Sequence, residues 1–243
     1  MTPGGTPAGP PVGDPSFWRD LYRRGEDRWD LGRPSPALEA HLVRARPGPP
    51  GSRVAVPGCG RGHDARIWAD RGYQVWGFDF AAEPLAAARA LAGRAGLTVT
   101  FEQRDIFGLA ADYAGFFDGV WEYTCFCAID PARRPEYAEL VTRLLRPGGW
   151  VLACFFPIGP SGSSPVPDPP EPPGAAAGPA GVASARSGEA SAAPSGPPFP
   201  VAEAEVRALF EPRFELLDAY VPEASPEGRR GREWMVLARR RQA

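Results

Sequence analysis

The chain has 243 residues, a formal net charge of -2, and Pro and Gly counts of 31 and 29. A near-neutral balance argues against a protein that coats nucleic acid. All 27 basic residues are arginine, which excludes Schiff-base, P-loop and kinase-type lysine chemistry.

Residues 1–15 hold nine of the Pro and Gly residues, and residues 157–200 hold twenty. The first stretch has nothing to bury and lacks the basic and apolar regions of a secretory leader, so it reads as a disordered tail. From Ser16 the pattern changes. Phe17, Trp18, Leu21 and Tyr22 share one helical face, and Gly25 ends that helix. Ser35 then Pro36 is an N-cap followed by a first-turn proline, with Leu38 and Leu42 facing inward.

A strand–helix rhythm follows. Strands are expected at Arg53–Val56, Gln74–Phe78, Val99–Glu102, Phe117–Tyr123 and Trp150–Phe156. Helices are expected at His63–Arg71, Glu83–Ala92 and Arg134–Leu145. Short links between alternating elements predict a parallel sheet covered on both faces. Residues 159–196 break the rhythm with Pro, Gly, Ser and Ala and almost no large apolar side chain, so they read as a disordered insertion in a single domain spanning 16–243. Val201–Phe210 then reads as a helix. Phe214–Tyr220 and Trp234–Arg240 read as two strands with no helix between them, hence an antiparallel closing hairpin.

No stretch of about 18 apolar residues occurs, so no transmembrane helix is expected. Cys59, Cys125, Cys127 and Cys154 sit in apolar sequence and read as reduced thiols of a cytoplasmic protein. The one-residue gap between Cys125 and Cys127 suits neither zinc nor redox chemistry, and no metal is expected.

The first strand runs into Pro57-Gly58-Cys59-Gly60-Arg61-Gly62-His63. Glycines between strand and helix let the backbone turn tightly and let a ligand approach where a side chain would collide. The dinucleotide fingerprint needs its third glycine where His63 stands, so NAD fits poorly. Asp79 ends the second strand about twenty residues on, where a carboxylate can accept from both ribose hydroxyls. Asp105 follows the third strand, where it can accept from an adenine amino group beside the Ile106 N–H; the plainer reading is a turn cap. Loop glycines and two acids at successive strand ends place an adenosine group along the carboxyl edge of the sheet. With no lysine to hold a triphosphate, a phosphate-free ligand is indicated: S-adenosylmethionine.

The runs Val56-Pro57-Gly58-Cys59-Gly60, Glu122-Tyr123-Thr124-Cys125-Phe126-Cys127-Ala128-Ile129-Asp130-Pro131, Arg134-Pro135 and Leu145-Arg146-Pro147-Gly148-Gly149 resemble the thiopurine S-methyltransferase family, on the side of its thiol, thiocyanate and halide methyltransferases. The resemblance runs from about residue 17 to 158 and resumes at Gly196-Pro197-Pro198-Phe199. It implies an α/β, Rossmann-like class I methyltransferase fold, a mostly parallel seven-stranded sheet with an antiparallel C-terminal strand. It also implies cofactor contacts at Trp18, Tyr22, Trp29, Gly58, Gly60, Asp79, Asp105, Ile106 and Tyr123. Tyr22 stands where the family has a tryptophan, a change that keeps the ring. Phe126 and Phe199 are candidate substrate contacts.

Methyl transfer from a sulfonium is an in-line displacement, and a soft nucleophile such as a thiolate needs alignment and a dry site more than a base. Neither His41 nor His63 is assigned to catalysis, and no catalytic residue is named. Glu122 reads either as a base for protonated thiols or as a solvated strand-end acid. The expected protein is a monomeric S-methyltransferase of a small molecule, without nucleic-acid or membrane partners. The alternatives are O- or N-methyl transfer on the same fold, an NAD-dependent oxidoreductase, and a degenerate cofactor-binding protein.

Overall fold

The structure is a computed structural model, and it describes residues 10–159 and 196–242. The expected insertion therefore lies almost wholly outside the described residues, as do residues 1–9 of the expected tail. Within that tail, α1 (Pro15–Arg24) starts earlier than Ser16, because Asp14 caps it by accepting from Ser16 N at 2.8 Å. Gly25 closes α1 in the left-handed conformation, its N–H bonded to the last carbonyls. The second helix, α2 (Pro36–Arg44), begins at the expected Ser35 cap, with Ala37, Leu38, His41 and Leu42 buried.

The sheet comprises β1 (Arg53–Pro57), β2 (Gln74–Asp79), β3 (Thr100–Gln103), β4 (Phe117–Tyr123), β5 (Leu145–Phe155), β6 (Phe214–Tyr220) and β7 (Trp234–Arg240). Its order is β3-β2-β1-β4-β5-β7-β6, with β7 antiparallel to both neighbours. The expected parallel body and closing hairpin are both present. The helices are α3 (His63–Asp70), α4 (Ala82–Arg94), a short α5 (Ala110–Tyr113) that the sequence reading lacked, α6 (Arg134–Leu144) and α7 (Glu203–Phe210). Val201 falls outside α7: it pairs with Ile158 in an isolated parallel bridge. That bridge, with Val201 N donating to Pro157 O at 3.1 Å, brings the chain back beside β5 at residue 201.

Two apolar cores lie on the two faces of the sheet. Val120, Val151, Ala153 and Phe155 point to one, with Tyr137 and Leu144 of α6 and Phe210 of α7. Val54, Val56, Trp121, Leu152 and Cys154 point to the other, with Trp68 of α3 and Leu38 of α2. Alternation along each strand assigns residues to faces. Each large side chain removed from water contributes roughly 1.5–3 kcal/mol. Gly119 is fixed by packing: a Cβ there would overlap the Trp150 indole on the neighbouring strand.

After β1 the chain builds β2 and β3 on one side, then returns past β1 to add β4 on the other. The strand order therefore reverses between β1 and β4. At such a switch point the loops diverge and leave a crevice beyond the carboxyl ends of the strands.

Candidate functional site

A cleft occupies that crevice. It has an empty volume of about 520 Å³ open to solvent, and its walls include Tyr22, Trp29, Gly58, Gly60, Arg61, His63, Asp64, Trp121, Tyr123 and Thr124. A second hollow of about 360 Å³ lies under α7, is almost wholly apolar, and holds none of the expected site residues.

The floor is the turn after β1. Gly58 and Gly60 have φ of +61° and +52°, where a side chain is strained. A Cβ on Gly58 would sit 3.0 Å from the Cys125 side chain, and one on Gly60 would sit 3.2 Å from the Tyr22 hydroxyl. Gly62 is different in kind. Its missing side chain makes room for Phe101 and Ala88, so it serves packing and not ligand approach.

Asp79, at the end of β2, secures this turn. Its Oδ2 accepts from Gly60 N and its Oδ1 from Ala81 N, both at 2.9 Å. Burial pushes the carboxyl up to about 6, against the lowering effect of those N–H groups. Each carboxylate oxygen has a second lone pair, so ribose hydroxyls can be accepted as well.

The roof is the loop between α1 and α2. Trp29 packs edge-to-face on Trp18 and Tyr22, with ring centroids 5.4 and 5.5 Å apart. Asp30 accepts from Gly32 N at 2.7 Å, which shapes the loop. Arg61 bonds to both Asp27 and Asp30, the latter at 2.5 Å, and so ties roof to floor. Burial would raise the Asp30 carboxyl, but His63, Arg61 and the Gly32 N–H outweigh it and hold the carboxyl well below the usual range. Arg229 donates to Trp29 O at 2.9 Å and supplies a second tether.

Five of the eleven expected residues, Tyr22, Trp29, Gly58, Gly60 and Tyr123, lie in the cleft wall. Asp79 is outside the wall but is bonded to it through Gly60 N. Trp18 stands behind Trp29, its Nε1 donating to Val12 O at 2.8 Å. Asp105 acts as the turn cap, accepting from Phe107 N at 2.9 Å, and Ile106 is buried in the adjacent core. One expectation needs correction. Phe126 is a core residue, packed against Phe155 and Phe210 on the far face of the sheet. Phe199 lies outside the cleft wall, pinned through its backbone, with its N–H donating to Cys127 O at 2.8 Å and its carbonyl accepting from Arg134.

Glu122 is neither solvated nor in the cleft. It is 2% exposed and accepts from Phe126 N at 2.7 Å and from the Tyr137 hydroxyl. Strand alternation points Tyr123 toward the cleft and Glu122 away from it. Burial pushes the Glu122 carboxyl up to about 7.

Sequence reasoning missed Asp30, Arg61, Asp64, Arg229 and Glu233. Each is a charged residue in or beside a turn, where a solvated side chain is the ordinary case, and only the fold brings Asp30, Arg61 and Asp64 to the cleft wall and sets Arg229 and Glu233 on the Tyr123 hydroxyl. Asp64 accepts from Ser35 N at 2.7 Å and from Trp121 Nε1 at 2.8 Å. Arg66 donates to His63 Nδ1 at 2.8 Å, which leaves Nε2 carrying the ring proton and facing Asp30 at 3.3 Å. Burial, with the charge of Asp79 second, raises the Tyr22 phenol well above its ordinary value. Burial likewise raises the Cys59 thiol. The cleft is thus aromatic and polar, and the carboxylates of Asp30 and Asp64 in its wall are already engaged.

A seven-stranded sheet of this order, with a glycine turn and an acid at its switch point, defines a Rossmann-like class I methyltransferase fold. The same fold is seen in the 1,6-didemethyltoxoflavin N1-methyltransferase of Burkholderia thailandensis, solved with 1,6-didemethyltoxoflavin and S-adenosylhomocysteine bound. The TM-score is 0.65 at 21% identity, covering 99% of this chain and 94% of that one. This chain belongs to the thiopurine S-methyltransferase family, whose model matches residues 13–157. It is 35% identical over 152 residues to the probable thiol methyltransferase 2 of Arabidopsis thaliana, covering 61% of this chain and 65% of that one. It is 35% identical over 143 residues to the thiocyanate methyltransferase 1 of Brassica oleracea, covering 58% and 62%. The chain thus spans a little under two thirds of the length of these curated relatives. Among the described residues no helix is long and apolar enough to cross a membrane.

Proposed function

We propose that this chain binds S-adenosylmethionine in the switch-point cleft and directs its methyl group to a small, soft, anionic nucleophile: a thiolate, hydrosulfide, thiocyanate, halide or thiopurine. The observation that carries the reading is the joining of glycine turn and acid, with Asp79 bonded to Gly60 N at 2.9 Å at the carboxyl ends of β1 and β2. When bound, the sulfonium supplies an activated methyl; the acceptor's lone pair forms the new bond as the carbon–sulfur bond breaks and its electron pair stays on sulfur.

The chain's own residues do the positioning. Asp79 accepts from the ribose, and Gly58 and Gly60 allow close approach at the turn. Asp105 has one oxygen committed to its cap and the other open to the adenine amino group. Trp29, Tyr22 and Tyr123 of the wall are the aromatic groups that would attract a bound sulfonium, each such contact being worth roughly 0.5–2 kcal/mol.

The acceptor class follows from proton inventory. Asp30, Asp64 and Asp79 each accept two or more hydrogen bonds. His63 has no free ring lone pair, and the Tyr22 phenol and Cys59 thiol stay protonated. With these groups engaged or protonated, an acceptor that arrives deprotonated is favoured, which suits thiolates and inorganic anions better than alcohols and amines.

Calorimetric titration with S-adenosylhomocysteine, followed by headspace detection of methylated sulfide, thiocyanate and iodide, tests the reading. The expected result is binding and at least one volatile product. Binding of NAD without S-adenosylhomocysteine overturns it. Turnover confined to oxygen or nitrogen acceptors replaces the acceptor class.

A further inference from the structure

A buried carboxylate stands behind the cleft with a single hydrogen-bonded partner. Glu233, just before β7, is 1% exposed. Its Oε1 accepts the hydroxyl proton of Tyr123 at 2.7 Å, and among the described residues its Oε2 has no hydrogen-bond partner. Burying an acid with half its capacity unmet is unfavourable, so packing alone does not account for it. Arg229, itself buried, donates to the same Tyr123 oxygen at 2.5 Å.

These contacts fix the state of one group in the cleft wall. A phenol has one proton and two lone pairs. The proton goes to Glu233 and one lone pair takes the Arg229 N–H. Toward any further partner the oxygen is therefore an acceptor only. Burial, outweighing the charge of Arg229, holds the Tyr123 phenol well above its ordinary value, so the arrangement persists across the neutral range.

We propose that Glu233 is a positioning residue: by taking the Tyr123 proton it aims the phenol oxygen's remaining lone pair at the positively polarised methyl of the bound sulfonium. The proposal rests on the methyl-donor reading above. Without Glu233 the hydroxyl is free to rotate and present its proton to a cationic centre, which is repulsive. A neutral thioether product lacks the sulfonium methyl and is indifferent to that choice. A weak carbon-donor hydrogen bond of this kind is worth a few-fold in affinity.

The test is calorimetry with S-adenosylmethionine and S-adenosylhomocysteine on the full chain and on Glu233→Met, Glu233→Gln, Tyr123→Phe and the double variant Tyr123→Phe/Glu233→Met. Glu233→Met and Tyr123→Phe are each expected to weaken the sulfonium ligand by about two- to fivefold and leave the thioether unchanged. Glu233→Gln, which keeps an acceptor oxygen, restores the ratio. The double variant is no weaker than Tyr123→Phe, because Glu233 acts through that hydroxyl. Equal weakening of both ligands, additivity in the double variant, or an unchanged ratio in Tyr123→Phe overturns the inference. The Tyr123→Phe arm decides even if Glu233→Met does not fold. A wild-type chain that binds neither ligand overturns the function reading itself, a result distinct from all of these.

Discussion

The carboxylate of Asp79 accepts the backbone N–H of Gly60 at 2.9 Å, joining two points nineteen residues apart in the chain. One side chain thereby ties the glycine turn to the end of β2, and its remaining lone pairs are uncommitted among the described residues. A ligand that bonds to Asp79 reads the same acid that shapes its own floor.

This coupling predicts a pH-dependent affinity. The free carboxyl lies near 6, and only the ionised form can accept from two ribose hydroxyls while holding Gly60. Binding therefore favours release of the proton. The dissociation constant of S-adenosylhomocysteine is expected to rise as pH falls below 6, approaching about tenfold per unit. Asp79→Asn should bind more weakly by about 1–3 kcal/mol and lose most of that dependence. Calorimetry between pH 5 and 8 checks both; an affinity flat with pH removes Asp79 from the site.

The three glycines of the turn should separate in their phenotypes. Gly62→Ala drives a Cβ to within 2.8 Å of the Phe101 ring at φ of +67°, so it is expected to lower stability by about 1–3 kcal/mol. Gly60→Ala meets only the Tyr22 hydroxyl, at 3.2 Å, and places its methyl at the cleft. It should reduce thermal stability less than Gly62→Ala and ligand affinity more. Melting curves with and without S-adenosylhomocysteine measure the two effects separately.

That contrast marks how far the sequence could be read. Strand and helix order, the closing hairpin and the position of Asp79 were legible, because period, caps and the glycine turn are local signals. The separate duties of Gly58, Gly60 and Gly62 were not, since they depend on Phe101 and Cys125 arriving from distant segments. Phe126 misled for the same reason: it adjoins a family-like run, but alternation after β4 and the turn at Thr124, with φ of +60°, send it to the opposite core. Glu233 was illegible because its partner Tyr123 is 110 residues away.

The roof loop should loosen when its tether is cut. Arg61→Met removes the bonds to Asp27 and Asp30 but leaves the Trp29 carbonyl on Arg229. The pairs are partly exposed, so the effect is modest, on the order of 1 kcal/mol. Affinity for S-adenosylhomocysteine is expected to fall about fivefold. The wild-type chain should lose part of that difference at high salt, where Arg61→Met is nearly insensitive. Tryptophan quenching by acrylamide reports whether Trp29 becomes more accessible. Equal affinity and equal salt dependence in the two chains would show that the tether does not shape the cleft.

Glu122 gives the clearest stability prediction, because it lies away from the cleft in a closed network. Its carboxyl sits near 7 in the folded chain and near 4.5 when unfolded. Between those values the unfolded chain releases a proton that the folded chain retains. The folded state therefore loses stability as pH rises through that window and levels off above it, by roughly 3 kcal/mol. Glu122→Gln has no proton to lose, and its amide can still accept from Phe126 N and meet the Tyr137 hydroxyl. The variant should show a shallower decline between pH 5 and 7 and match or exceed the wild type at pH 8. Some slope remains, since burial also raises Asp79 and Asp64, and the lowered His41 opposes them. Urea unfolding at several pH values measures it; a variant slope identical to that of the wild type would mean that Glu122 is ionised in the fold.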